Sequence, residues 1–326
     1  MIAIDLGYSH VKAVSEDGRV LLPSVVSPPR ELLLSDLSKG VGYQVEVRRL
    51  NGHGQQYFVG DLAIREGLTP SFCLEREKHL HPHHDVLVLT AIRLIGGGTS
   101  VPVVVGLPPG YYNAQKDALT RHLMGLHAEV AINGANPQRV SIGRVIVYPQ
   151  GAGALLTVKD LPNYGLIILV DIGYKTTDFI GAEMVDGTWR VVSSLCGTIE
   201  IAVRALHEAV AQELRKTTGA QLDPTRMATL LETGTLWFRG REYDLTPIIS
   251  RARAGVAQAI ADRVLTTLGD RGDFVRRTYL AGGGAAALPE LAGMLPGAEV
   301  VPEAQWANAL GYLEAGRQLI AQAGAQ

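Results

Sequence analysis

Short apolar runs ending in polar or glycine-containing turns recur along the first half of the chain. Residues 2–6, 12–15 and 20–22 have the length and branched side chains of β-strands, and 23–30, rich in Pro and Ser, predicts a loop. Further strands are predicted at 43–50, 101–106, 128–133 and 140–148, and helices at 61–66, 86–95, 114–124 and 152–158. This half therefore predicts a mixed α/β unit.

The second half repeats this rhythm. It predicts a strand at 166–170, a turn and return over 171–178, a strand at 191–195 and a helix from 199 to about 217 capped by Thr198. A hairpin around Arg239-Gly240, a helix over 246–268, a short strand at 279–281, an edge strand at 300–301 and a helix over 304–322 follow. An internal duplication of an α/β unit explains the repeat, with a packed hinge near Gln150.

Both halves begin with the same motif, an apolar run followed by Asp, an apolar residue, Gly and Tyr. The two copies are Ile2-Ala-Ile-Asp5-Leu-Gly7-Tyr-Ser9-His-Val-Lys12 and Leu166-Ile-Ile-Leu-Val-Asp171-Ile-Gly173-Tyr-Lys-Thr176-Thr177-Asp178, 166 residues apart. Each predicts a hairpin with a carboxylate at a strand end and a glycine turn that lets the backbone approach an anion. Two such hairpins would hold a polyphosphate, and their carboxylates would hold a hydrated divalent cation.

Other segments offer chemistry suited to the same ligand. Lys12 supplies a positive charge, Gln150 follows a strand and could orient a water molecule, and Gly282 to Gly284 let a nucleotide lie close to the backbone. Taken singly, each also fits a structural role as a turn, a cap or the solvated face of a strand. Their order along the chain makes the combination a stronger indication of a nucleotide site than any one of them.

The histidines at 79, 81, 83 and 84 form the densest cluster of possible metal ligands. One interpretation is a metal site, and the other is a solvated loop ahead of a helix. The sequence leaves both open.

Composition narrows the classes of protein. The chain has 326 residues, of which 47% are hydrophobic and 19% charged, with a net charge of −2 and a pI near 6.5. A large core is therefore expected, and direct binding of nucleic acid or an anionic membrane is not. The two distant cysteines, Cys73 and Cys196, are typical of a reduced intracellular protein. Without a signal-peptide pattern or a long apolar run, the chain is predicted to be cytoplasmic.

The order of these segments resembles that of the actin, heat-shock-chaperone and sugar-kinase ATPase superfamily, over essentially the whole chain. Tyr148-Pro-Gln150-Gly-Ala-Gly153 and the second hairpin are the closest matches, and they are most similar to bacterial and archaeal actin-like proteins, including plasmid-segregation actins of the ParM type. The resemblance implies a duplicated α/β fold of the actin/chaperone-ATPase (ribonuclease-H-like) type with two domains flanking a nucleotide cleft. Domain I would comprise 1–149, with a C-terminal helix at 309–326 packing back on it, and domain II would comprise 150–308.

The resemblance also implies roles for individual residues in a Mg²⁺-dependent ATPase that uses ATP or GTP. Asp5 and Asp171 would hold Mg²⁺ through water, and Gln150 would position the hydrolytic water. The residues implied to bind nucleotide are Gly7, Tyr8, Ser9, Lys12, Gly173, Tyr174, Lys175, Thr176, Thr177, Gly282, Gly283 and Gly284. Tyr8 departs from the family pattern, which usually has Ser or Thr there, so Ser9 or backbone N–H groups would replace the missing hydroxyl.

The implied function is a filament-forming actin-like ATPase that acts in plasmid DNA segregation. Its partners would be further copies of itself and a DNA-binding adaptor protein, with no direct contact to nucleic acid or membrane. Two alternatives remain open at this point: a small-metabolite kinase of the same superfamily, and a nucleotide-binding cytoskeletal scaffold with little hydrolysis.

Overall fold

The computed structural model of the chain describes residues 1–32, 42–49, 52, 54–222 and 226–324. The chain divides into two compact units. Unit 1 comprises Met1–Thr157 and Trp306–Gln326, and unit 2 comprises Val158–Gln305. Among the described helices, none combines the length and the apolar character needed to cross a membrane.

Unit 1 contains a sheet of ten described strands. In chain order they are β1 (Ile2–Leu6), β2 (His10–Val14), β3 (Arg19–Pro23), β4 (Val25–Ser27), β5 (Tyr43–Arg48), β6 (Gln55–Val59), β7 (Ser71–Phe72), β8 (Val101–Leu107), β9 (His127–Ile132) and β10 (Gln138–Pro149). Their order across the sheet is β3-β2-β1-β8-β10-β9-β5-β6-β4-β7. β1 pairs antiparallel with β2 and parallel with β8, which is itself parallel to β10. The carboxyl ends of β1 and β10 therefore lie at the same edge of the sheet.

Helices cover both faces of the central strands. The helices of unit 1 are α1 (Asp61–Glu66), α2 (His84–Leu94), α3 (Pro109–Met124), α4 (Ala152–Leu155) and α9 (Ala307–Gly324). On β1, Ile2 and Ile4 belong to the core that includes α2 and α3, whereas Ala3 packs with Tyr312 of α9. β1 is apolar on successive residues because both of its faces are buried.

Glycines let α4 and α9 pack in direct backbone contact. A Cβ at Gly311 would lie less than 3.0 Å from the backbone of Gly153, and one at Gly153 would collide with the buried ring of Tyr312. The small residues after Gln150 therefore serve the packing of the C-terminal helix against this unit.

Unit 2 is built around a sheet of five described strands in the order β13-β12-β11-β16-β17. The strands are β11 (Leu166–Ile172), β12 (Thr177–Val185), β13 (Thr188–Ile199), β16 (Val275–Ala281) and β17 (Ala298–Val300), and β14 (Thr235–Phe238) forms a separate hairpin with β15 (Arg241–Asp244). The helices are α5 (Val203–Thr218), α6 (Met227–Thr233), α7 (Thr246–Leu268) and α8 (Gly284–Ala287). Every residue of β11 is buried, as expected for a strand between two partners and covered on both faces.

Three local predictions were wrong. The predicted loop over 23–30 contains β4, which pairs with both β6 and β7. Thr198 does not cap a helix, because it is still in β13, its hydroxyl donates to Asp178, and α5 begins only at Val203. The helix predicted over 152–158 ends at Leu155.

The predicted domain boundaries at 149/150 and 308/309 stay predictions. Of the predicted helix 309–326, the last two residues lie outside the described part of the chain.

Candidate functional site

The first hairpin, formed by β1 and β2, contains a buried ion pair. Asp5, near the end of β1, lies directly opposite Lys12 of β2, and Lys12 Nζ is 2.7 Å from Asp5 Oδ2. Asp5 is only 3% exposed. The ammonium group of Lys12 compensates the charge of this buried carboxylate.

Gln150 reaches the other oxygen of the same carboxylate. Its Nε2 lies 3.4 Å from Asp5 Oδ1, and its backbone N–H donates to Leu107 O at 2.8 Å. The next residue, Gly151, has φ +77° and donates its N–H to Asn308 Oδ1 of α9. The structure therefore brings together Asp5, Lys12 and Gln150, all three predicted as site residues.

Lys78, a residue that the sequence did not indicate, contacts the turn between β1 and β2. Lys78 donates to Leu6 O at 2.6 Å, and its Nζ lies 3.6 Å from the centre of the Tyr8 ring. Tyr8 itself is buried, with 5% of the residue exposed. Ser9 lies in the same turn, where its carbonyl accepts the N–H of Ser24.

Gly7 also lies in this turn, at a position where a side chain would not fit. A Cβ at Gly7 would lie 2.6 Å from the carbonyl oxygen of His10. The hydroxyl of Ser24 donates to Gly7 O at 2.7 Å and so fixes the turn from the side of β3.

The second hairpin has two carboxylates where the first has a carboxylate and a lysine. Asp171 of β11 lies opposite Asp178 of β12, and both are buried. Asp178 accepts hydrogen bonds from the hydroxyls of Thr198 at 2.6 Å and Thr176 at 3.4 Å. Asp178 was not predicted as a site residue, although a separation of seven residues across a hairpin places it on the same face as Asp171.

The remaining predicted residues of this hairpin lie in its turn. Gly173 donates its N–H to Thr176 O at 2.9 Å, which closes the turn around Tyr174 and Lys175. The hydroxyl of Thr177 donates to Ile201 O at 2.8 Å, and this bond ties the hairpin to the segment that precedes α5.

The three glycines after β16 differ in their surroundings. Gly282 has φ +82°, and a Cβ there would lie less than 3.0 Å from Ile172 O and Asp171 Oδ1. A Cβ at Gly284 would collide with Ile172, whereas one at Gly283 would have only Gln305 near it, at 3.7 Å. The structure thus brings Gly282 to Asp171 within unit 2.

His207 of α5 packs against the turn of the second hairpin. Its ring lies 5.4 Å from the ring of Tyr174, centre to centre, and the backbone carbonyl of Tyr174 accepts the N–H of Arg204 at 2.7 Å. Burial lowers the pKa of His207 to about 4, and the nearby carboxylate of Glu208 opposes this only in part. The imidazole is therefore neutral at pH 7.

Acid is expected to destabilise the protein through His207. In the unfolded chain this histidine takes up a proton near pH 6.5, but in the folded chain it does so only near pH 4, so stability falls as the pH drops through this interval. The contribution is roughly 3 kcal/mol across the interval. His207→Leu should weaken the pH dependence of urea unfolding between pH 6.5 and 4.5. The exposed His127 provides the control as His127→Leu, and an equal pH dependence in both variants would contradict the assignment.

The donor groups of the two hairpins suit a nucleotide with a magnesium ion. Carboxylate oxygens such as those of Asp5 and Asp171 are the protein ligands that Mg²⁺ prefers, usually with water between. Lys12 and the backbone of the two glycine turns suit phosphate oxygens. The first hairpin thus supplies one carboxylate, a lysine and a glycine turn, and the second supplies two carboxylates and a glycine turn.

Family models match both halves of the chain. A model described as "Actin like proteins N terminal domain" matches residues 3–153, and one described as "Archaeal actin homologue MreB-like, C-terminal" matches residues 169–293. The chain belongs to the actin-like proteins. Of the predicted site residues, Asp5 and Gln150 fall within the first match, and Asp171 and Gly282 to Gly284 within the second.

Solved structures share the fold of this actin-like protein over nearly its full length. A ParM filament of 15 strands from Clostridium botulinum is 25% identical with a TM-score of 0.85, and a non-polymerisable quadruple mutant of pCBH ParM is 25% identical with a TM-score of 0.84; each comparison covers 97% of this chain and 98% of the other. An archaeal actin homologue in complex with ADP has a TM-score of 0.78 at 21% identity, covering 97% and 99%. The search of curated proteins gave no match. The predicted two-domain actin-like α/β fold is confirmed.

Proposed function

We propose that this actin-like protein binds a nucleoside triphosphate with Mg²⁺, hydrolyses it and assembles into filaments. The observation that carries the proposal is the group formed by Asp5, Lys12 and Gln150 at the edge of the unit 1 sheet. A matching hairpin with Asp171 begins unit 2. An archaeal protein of the same fold has been crystallised with ADP, which supports a nucleotide as the ligand.

Each residue of the two hairpins has a distinct part in this proposal. Asp5 and Asp171 hold the hydrated Mg²⁺, which when bound offsets negative charge on the phosphates. Lys12 and the turn residues bind phosphate oxygens. The Gln150 amide orients a water molecule toward the γ-phosphorus without taking its proton.

The remaining turn residues complete the nucleotide site. The phosphate-binding turns comprise Gly7, Tyr8 and Ser9 in unit 1 and Gly173, Tyr174, Lys175, Thr176 and Thr177 in unit 2. Gly282, Gly283 and Gly284 border the nucleoside. In place of the hydroxyl that Ser or Thr would supply at position 8, Ser9 or a backbone N–H of the turn contacts the phosphate.

Self-assembly is supported by the likeness to a ParM filament over nearly the whole chain. We further propose that the filament serves plasmid DNA segregation. Because the net charge of the chain is −2, no overall positive charge favours binding to DNA, so DNA would be reached through an adaptor protein.

The test measures phosphate release and sedimentation of the full-length protein with Mg²⁺ and ATP or GTP. Nucleotide-dependent release and pelleted filaments in negative stain are expected, and Asp171→Ala should lower release about 100-fold or more. Asp270→Ala, which removes an exposed carboxylate of the same unit, is the control and should behave as wild type.

Other outcomes would favour the alternative functions. Phosphate transfer that depends on an added small hydroxyl or carboxylate compound would point to a kinase. If Asp171→Ala leaves release at the same background level as wild type, the protein is a non-hydrolysing scaffold. If nothing pellets over a range of protein and salt concentrations, the filament proposal fails.

A further inference from the structure

Two imidazoles and a carboxylate converge in unit 1, where the start of α2 meets the end of α3. His84 Nδ1 lies 3.1 Å from Asp85 Oδ1, and His122 Nε2 lies 2.6 Å from the same oxygen. All three donor atoms lie within 4.8 Å of one another. His84 and Asp85 are buried, and His122 is partly exposed.

The second oxygen of the carboxylate is held separately. Arg49 Nη2 lies 2.6 Å from Asp85 Oδ2, so Oδ1 remains directed toward the two imidazoles. Metal-bound carboxylates commonly have their other oxygen held by a hydrogen bond in this way, which fixes their orientation.

There is room for a fourth ligand beside the cluster. His79 and His84 line a cavity of about 30 Å³, enough for one or two water molecules. The ring of His79 also lies 5.7 Å from that of His122, centre to centre. A water molecule in this cavity would lie beside His84 and is the candidate for a fourth ligand.

The chemistry of the three side chains suits a transition-metal ion. Imidazole nitrogens and carboxylate oxygens are ligands that Zn²⁺ takes in proteins, and one carboxylate with two imidazoles is a typical set.

We propose that His84, Asp85 and His122 bind a divalent transition-metal ion of the zinc type. The ion joins the first turn of α2 to the last turn of α3 and so stabilises unit 1. The site uses other residues than the proposed magnesium site and differs from it in chemistry, because nitrogen ligands favour zinc over magnesium.

Calorimetric titration of Zn²⁺ into chelator-treated, full-length protein tests the proposal. One Zn²⁺ per chain is expected, and millimolar Mg²⁺ should not compete. Because removing a second-shell partner alone typically costs about 10- to 100-fold in affinity, His122→Ala should weaken binding by about 100-fold or more. Zn²⁺ should also raise the melting temperature of the wild type but not of His122→Ala. His127→Ala, which removes an exposed histidine of the same unit, is the control and should bind as wild type.

A second cluster of possible metal ligands lies nearby, and a variant in it tests whether zinc binds there instead. His81 Nδ1 lies 3.2 Å from Cys73 Sγ, and the rings of His81 and His83 are 5.1 Å apart, centre to centre. Absence of zinc binding, or a loss of binding in His81→Ala with normal binding in His122→Ala, would overturn the proposal. Should His122→Ala fail to fold by circular dichroism, His122→Gln, which keeps a polar side chain at this partly exposed position, replaces it in the same comparison.

Discussion

Gln150→Ala is expected to lower phosphate release about 100-fold while leaving nucleotide affinity nearly unchanged. The side-chain amide lies 3.4 Å from Asp5 Oδ1, so in the proposed mechanism it orients the attacking water, an interaction that matters mainly in the transition state. The local backbone should survive the change, because the N–H of residue 150 and not its side chain bonds to Leu107 O. Single-turnover phosphate release and binding of a fluorescent nucleotide measure the two quantities separately.

The control for this prediction is an exposed glutamine of the same unit. Gln44 of β5 lies far along the sheet from β1, so Gln44→Ala should hydrolyse nucleotide at the wild-type rate. Wild-type hydrolysis by Gln150→Ala would remove Gln150 from the mechanism. A large loss of nucleotide affinity would instead make it a binding residue. If hydrolysis drives disassembly, filaments of Gln150→Ala should also persist longer than those of the wild type.

The parts of the fold that the sequence predicted well are those set by local pattern. The strands that begin each half are short apolar runs closed by a glycine turn, and they form β1 and β11 as expected. The β14–β15 hairpin turns at Arg239 and Gly240, with φ +49° and +75°, because Gly tolerates this conformation.

Two of the wrong predictions concern segments whose structure depends on distant partners. β4 lies between two prolines, Pro23 and Pro28, which locally favour a loop, yet β6 and β7 pair with it from both sides. Threonine is a common N-cap residue, but the hydroxyl of Thr198 donates a hydrogen bond to Asp178 across the sheet. In both cases tertiary contacts override local preference.

The same distinction applies to the candidate site. Asp5 and Lys12 lie opposite each other in the register of one tight hairpin, so spacing along the chain was sufficient to predict that both belong to one group of side chains. Lys78 lies 72 residues from Leu6, whose carbonyl it contacts, and no local pattern marks it. His122 is equally hidden, because α3 carries it to His84 from outside the histidine-rich segment. Side chains that come from distant segments, such as Lys78 and His122, are not indicated by spacing along the chain.

Gly282→Ala is expected to destabilise unit 2 by about 3 kcal/mol or more and to abolish nucleotide binding. The backbone of Gly282 has φ +82°, where an L-residue is strained, and a Cβ there would collide with Ile172 O and the carboxylate of Asp171. Relief of the collision would have to move either the β16 strand end or Asp171, the carboxylate proposed to hold Mg²⁺. Urea unfolding and fluorescent nucleotide binding measure the two effects.

The substitution Gly283→Ala provides the matched control, because it adds the same methyl group one residue away. Gly283 has φ −66° and ψ −22°, a helical conformation that Ala adopts readily, and a Cβ there would meet only Gln305, at 3.7 Å. Gly283→Ala should therefore change stability by less than about 1 kcal/mol, with any gain coming from a less flexible unfolded chain. If it lowers nucleotide affinity without loss of stability, the added methyl group obstructs the nucleoside itself. Equal destabilisation by the two substitutions would contradict the steric argument, because only position 282 faces Asp171.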